Sequence, residues 1–76
     1  MSKADKMFEE LGYTIKEKVR FTLDRLVYKN LKDDTMISFC KEYKVVLKTQ
    51  NIYPKAINMQ ELKAINEKCK ELEWIE

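Results

Sequence analysis

The side chains in this sequence that could do chemistry are paired carboxylates, two cysteines and scattered hydroxyls, and no histidine stands among them. The lack of histidine removes the commonest general base and metal ligand, and with it any Ser–His or Cys–His nucleophile. Ser2, Ser38 and the threonines have no base at a recognisable spacing. A single glycine, Gly12, excludes a glycine-rich phosphate loop. Cys40 and Cys69 have neither CxxC spacing nor histidine partners, so they make no usual structural zinc site. They read as reduced thiols acting as small apolar residues. The pairs Asp33–Asp34, Glu9–Glu10 and Glu71/Glu73 remain as candidate paired acids or a divalent-cation site. Asp33–Asp34 has none of the spacing of a calcium loop, and a turn or a solvated helix face accounts for each pair. The residues lead to an expectation of no enzymatic activity, no cofactor, no metal and no small-molecule substrate.

The elements that must carry these residues are clearest at the two ends. Met59, Leu62, Ile65, Cys69 and Leu72 recur at steps of 3, 3, 4 and 3, one face of an α-helix over residues 59–73. Asn58 is its N-cap, and Glu61 at N3 completes a capping box. Ile57 and Leu62 take the hydrophobic-staple positions. Pro54 closes off the strand or loop before it. A shorter helix opens the chain, capped by Ser2 with Asp5 at N3. Its apolar stripe is Ala4, Met7, Phe8 and Leu11, and Gly12 supplies a left-handed C-cap.

Between them the chain is strand-like. Residues 35–40 and 43–49 are β-prone runs, and Lys41 and Glu42 between them suggest a tight hairpin. Residues 23–29 read as a further strand, with the turn at residues 30–34. A second reading stays open at residues 15–28. Thr14 with Glu17 is also a capping-box pattern, and Ile15, Val19, Leu23, Leu26 and Asn30 fall near helical spacing. Phe21 and Tyr28 lie off that stripe, and residues 19–22 are β-prone, which favours the strand.

The resulting expectation is an α+β fold in a single domain over residues 1–76. Its order is α-β-β-β-α: a three-stranded antiparallel meander with two helices packed on one face. Alternation then sorts the side chains. Leu26, Tyr28, Ile37, Phe39, Val45 and Leu47 point to the helices. Arg25, Val27, Lys29, Met36, Ser38, Cys40, Lys44, Val46 and Lys48 point away.

Composition sets the outer bounds. A chain of 76 residues holds one core and buries only about 60% of its unfolded surface. The hydrophobic fraction of 45% suits a compact globule. No apolar run nears the roughly 20 residues of a membrane span, and residues 1–6 lack the apolar stretch of a signal peptide. Cytoplasmic placement, with no membrane partner, is expected.

Charge is unevenly laid out. Residues 1–17 carry a net −1, residues 18–55 a net +5 and residues 56–76 a net −2. The basic share falls on the sheet. Arg25, Lys29, Lys44 and Lys48, with Val27, Met36 and Val46 among them, form a candidate binding face on its uncovered side. An ordinary solvated face with lysines guarding strand edges accounts for the same residues. Tyr28, Tyr43 and Tyr53 could add base stacking, although Tyr28 points to the core. The tail Trp74-Ile75 either packs back over the core or stands out as an interface anchor.

Two stretches carry a resemblance. KADKMFEELGY at residues 3–13 and INMQELKAINEKCKELEW at residues 57–74 resemble the opening and close of a family of small proteins encoded by phages and prophages of Firmicutes. The Asp/Lys-rich turn and the Ile37-Ser38-Phe39 strand between them fit too. Family members usually have Thr where Asn58 stands, which keeps the capping chemistry. They usually have Gly where Glu73 stands, so here the helix is expected to fray or run on toward Trp74. The resemblance implies an α+β fold and a phage context, and carries over no functional residue. The expected role is a protein-interaction module that binds a host or phage protein, or another copy of itself. A nucleic-acid-binding module using the basic sheet face is the second expectation.

Overall fold

A computed structural model of the chain describes residues 2–16 and 25–75. Helix α1 spans Lys3–Glu10 and helix α2 spans Met59–Glu71. Five strands lie between them: β1 Tyr13–Lys16, β2 Arg25–Asn30, β3 Thr35–Cys40, β4 Val45–Gln50 and β5 Tyr53–Pro54. They form one antiparallel sheet in the order β1-β2-β3-β4-β5. The fold is α+β with two helices on one face. The expected three-stranded meander is widened by an edge strand at each side. Both additions, of four and two residues, are too short to show a period of their own. The alternative of a helix over residues 15–28 is not what the described ends show, since Ile15 lies in β1 and Tyr28 in β2. Its centre, residues 17–24, lies outside the described residues, as do Leu23 and the β-prone run at residues 19–22.

Local chemistry explains where the helices begin. Ser2 Oγ accepts from the Asp5 N–H at 3.1 Å and caps α1. Asn58 Oδ1 accepts from the Glu61 N–H at 2.8 Å, while Glu61 Oε1 accepts from the Asn58 N–H at 3.0 Å. That is a complete capping box, satisfying two orphan donors reciprocally. Just beyond α1 and its C-cap Leu11, Gly12 with a φ of +93° turns the chain directly into β1. A Cβ at Gly12 would stand 3.1 Å from Asn30 Nδ2.

Helix α2 ends at Glu71, earlier than expected, and does not run on to Trp74. The Glu73 N–H donates to the Lys70 carbonyl at 3.0 Å and the Trp74 N–H to the Cys69 carbonyl at 2.9 Å. This is the full Schellman pattern, with Glu73 in the glycine position at φ +62°. Two closing hydrogen bonds and the docking of Trp74 on Phe39, ring centroids 6.1 Å apart, hold a glutamate where glycine fits without strain. Of the two readings of the aromatic tail, packing over the core is the one observed for Trp74, while Ile75 is half exposed.

The core sits between the sheet and the helices. Phe8, Tyr13, Tyr28, Ile37, Phe39, Ala64, Ile65 and Cys69 are buried there. Phe8 stacks on Tyr28 at 4.0 Å and meets Tyr13 and Phe39 edge-on at 6.0 and 6.1 Å. Such pairs add roughly 0.5–1.5 kcal/mol each beyond area burial. Burial raises the Cys69 thiol above its ordinary range. Cys40 stands on the other side of the sheet, so the two free thiols do not meet.

Helix α2 does not bury its expected stripe. Ile65 and Cys69 face inward with Leu72, but Met59 and Leu62 are 66% and 45% exposed. Glu61 and Ala64 occupy the inward side instead. The first turn is rotated because the Glu61 carboxylate finds partners under the helix, described below.

Two substitutions test these helix ends. Gly12→Ala forces a side chain into left-handed backbone against Asn30, and should lower stability by about 1–2 kcal/mol. Glu73→Gly relieves the same strain, partly offset by a freer unfolded chain, and should raise stability by about 0.5–1 kcal/mol. Urea unfolding of both variants beside the parent chain reads the two opposite signs.

Candidate protein-interaction face

Cross-strand pairing decides which side chains share the side of the sheet that faces away from the helices. Arg25 pairs with Cys40, and Cys40 with Val45. Val27 pairs with Ser38, and Ser38 with Leu47. Lys29 pairs with Met36, and Met36 with Thr49; Thr14 of β1 joins this row through Lys29. Directly opposed residues point to one side. Tyr28, Ile37 and Phe39 are in the core, so these three rows face away from the helices.

The expected phase of β4 is therefore reversed. Val45 and Leu47, expected inward, stand on the open side at 42% and 52% exposure. Val46 and Lys48, expected outward, stand on the helix side. The β3–β4 turn is four residues, 41–44, with Lys44 at φ +53°, rather than the tight pair Lys41-Glu42. A turn of either two or four residues keeps the parity that follows from Cys40, so turn length in the sequence could have corrected the faces. Of the seven candidate residues, Arg25, Val27, Lys29 and Met36 share the open face. Lys44 lies in the turn at its rim. Val46 packs against the core, and Lys48 is bound beneath α2.

Sequence reasoning left Val45, Leu47 and Thr49 out of the candidate face, and did not count Ser38 and Cys40 as part of it. With them, the face is apolar at its centre. Ser38 is 6% exposed, walled by Val27 and Leu47. Its charges are peripheral. Arg25 is exposed at one end, next to the turn with Lys41 and Lys44. Lys29 at the other end pairs with Asp34 at 3.3 Å. The β-strand residues of this face carry no carboxylate.

Lys48 has a different task. Its Nζ lies 2.7 Å from Glu61 Oε1, and the two side chains are 12% and 6% exposed. Glu61 Oε2 accepts from the Tyr13 hydroxyl at 2.6 Å. Thr35 Oγ1 lies 3.4 Å from that hydroxyl and donates to Asp33 Oδ1 at 2.6 Å. Burial alone would raise the Glu61 carboxyl, but Lys48, Tyr13 and the Asn58 N–H outweigh it and hold it below the usual 4.5. Burial, then the Glu61 carboxylate, pushes the Tyr13 hydroxyl up to about 12. The Asp33 side chain is held low by the Thr35 hydroxyl and N–H. The acidic pair Asp33–Asp34 thus closes a turn and neutralises Lys29.

Glu71, of the pair Glu71/Glu73, accepts from the Ala4 N–H at 2.9 Å and lies 3.4 Å from Lys68, while Glu73 makes the helix end. Among the described residues, no three potential metal ligands come together. None of their helices is long and apolar enough to cross a membrane. Compared with protein-family models, curated proteins and solved structures, the chain matches none.

The Lys48–Glu61 pair yields a pH-resolved test. Lys48→Met leaves the Glu61 carboxylate buried without its cation and should cost about 2–3 kcal/mol at pH 7. Glu61 has a folded value below its unfolded 4.5, so its contribution is complete above that pH and is lost as pH falls through the folded value. In the variant, protonation relieves the orphaned charge, so the gap to the parent should narrow as pH falls through the carboxylate range. Tyr13 has the opposite sign: stability should fall as pH rises from 10 to about 12. Denaturant midpoints measured across pH for both chains read all three effects.

Proposed function

We propose that this chain is a non-enzymatic protein-interaction module whose open sheet face receives a partner protein. One observation carries the reading: Val45 and Leu47 stand exposed beside Val27, Met36 and Cys40 on a face no described element covers. An apolar centre with polar margins is the anatomy of a protein interface. The charge at its margin is positive at the Arg25 end, and its strands bear no acid. The partner it fits is therefore an apolar surface patch fringed by carboxylates.

The resemblance at residues 3–13 and 57–74 supports placing the chain among small accessory proteins of phages and prophages of Firmicutes. On that reading it works in the host cytoplasm, and its partner is a host or phage protein. Nucleic-acid binding by the same face draws less support. Lys48 spends its charge on Glu61, Lys29 is paired with Asp34, and no aromatic ring stands on the three rows.

Affinity capture from a Firmicute lysate with the parent chain and with Leu47→Asp tests the proposal. Leu47 is half exposed, so the variant should stay folded by circular dichroism. The expected result is one protein retained by the parent and released by the variant, with affinity for the purified protein reduced at least tenfold, about 1.4 kcal/mol. Equal retention by both chains overturns it. So does binding only to DNA or RNA with the steep salt dependence of counterion release.

A further inference from the structure

A second surface lies at the β4–β5 edge, away from the open face. Residues 51–60 are exposed without interruption. They include Ile52 at 88%, Tyr53 at 68%, Ile57 at 39% and Met59 at 66%, and Leu62 follows at 45%. Lys55 is the one charged residue among the ten.

This segment is tied down rather than loose. Gln50 pairs with Tyr53 and Thr49 with Pro54. The Lys55 N–H donates to the Lys48 carbonyl at 2.9 Å. The capping box at Asn58 and the Lys48–Glu61 pair then fix the first turn of α2 against β4. Tyr53 is opposed to Gln50, and so stands on the helix side of the sheet, the side on which Met59 and Leu62 are carried.

The turn at its tip is unusual. Asn51 and Ile52 have φ of +49° and +68°, the two left-handed residues of a type I′ hairpin. Asn suits the first position. The second favours Gly, and a β-branched residue there is a steric outlier. Ile52 is thus both strained and 88% exposed. Backbone strain of this kind persists where it serves a site.

We propose that residues 52–62 form the contact of a symmetric dimer of this chain, with Ile52, Tyr53, Met59 and Leu62 as its anchors. The exposed apolar side chains present on the order of 600 Å², as much as the largest patches monomers carry. That is below the roughly 800 Å² per partner of a standard interface, so the dimer is one that forms at high protein concentration. With Lys55 its one exposed charge and Glu61 buried beneath the helix, this surface can meet a copy of itself under a two-fold axis without like-charge crowding, whereas it offers a charged partner little to read. Pro54 has no N–H and blunts the strand edge, so side chains rather than a continued sheet join the copies.

Sedimentation equilibrium over a concentration series tests this with three variants. The parent should reach twice its 9.2 kDa mass. Ile52→Lys combined with Met59→Lys should weaken association at least tenfold while leaving the fold intact. Ile52→Gly should weaken association yet raise the thermal midpoint in dilute solution, because it relieves the left-handed strain. A purely structural Ile52 would not move those two readouts in opposite directions. Leu47→Asp should leave the dimer unchanged, which separates this contact from the open face. A monomeric parent at several hundred micromolar overturns the proposal, whatever else the patch captures. So does a dimer that survives the double lysine variant or is abolished by Leu47→Asp.

Discussion

The Glu61 carboxylate is the point through which helix α2 is joined to the sheet. It accepts from the Asn58 N–H in the helix cap, from the Tyr13 hydroxyl on β1 and from the Lys48 ammonium on β4. Three elements distant in sequence meet on one side chain. A buried charge is tolerated only when its lone pairs are filled in this way, and among the described residues no buried side-chain polar atom lacks a partner. Much else in the molecule is a consequence. Glu61 takes the inward position of the first turn of α2, so Met59 and Leu62 are turned out. Lys48 is drawn to the helix side, so the open face loses a cation and presents Leu47 from the same strand.

A second polar junction repeats the logic between the helices. The Tyr28 hydroxyl donates to Asp5 Oδ1, and Lys68 stands 3.4 Å from both Asp5 and Glu71. Glu71 in turn accepts from the Ala4 N–H, an orphan donor at the start of α1. An anion at that end is also favoured by the helix dipole. Burial works against both carboxylates, yet these partners hold each below its ordinary range. Burial and the Asp5 carboxylate together drive the Tyr28 hydroxyl far above its usual value. The apolar core thus lies between two carboxylate–tyrosine bonds, a buried one anchored by Lys48 and a partly buried one anchored by Lys68. Such junctions add orientation that a greasy interface alone does not supply.

What was legible in the sequence follows from how local each signal is. The caps at Ser2 and Asn58, the left-handed turn at Gly12 and the inward set Tyr28, Ile37 and Phe39 depend on neighbours within a few residues, and all are found as read. The phase of β4 depends on which residue Cys40 meets across the sheet, and alternation alone misleads there, because Val45 and Leu47 are the apolar parity of the run 43–49 while Lys44 and Lys48 are the charged one. The stripe of α2 was read from apolar spacing, which cannot foresee that a glutamate would be the better-satisfied inward residue. On the candidate face, Arg25, Val27, Lys29 and Met36 were legible because β2 and β3 alternate cleanly. Val45 and Leu47 were hidden because a valine or leucine is taken as core until its cross-strand partner is known.

The scarcity of glycine explains the rest. With Gly12 used at the end of α1, every other left-handed position described must be filled by a residue with a Cβ. Asp34, Lys44, Asn51, Ile52 and Glu73 fill them. Asp and Asn tolerate this conformation. Asp34 also meets Lys29, and Glu73 closes the two carbonyls at the end of α2. Turn chemistry read from Gly, Asn-Gly or Pro-Gly pairs is silent at such sites, which is why both hairpin turns around β4 were misjudged or missed. It also ranks the five by what compensates them. Ile52 has the least tolerant side chain and is 88% exposed, so it is the pairing of Gln50 with Tyr53 and of Thr49 with Pro54, not packing of its own side chain, that holds the turn.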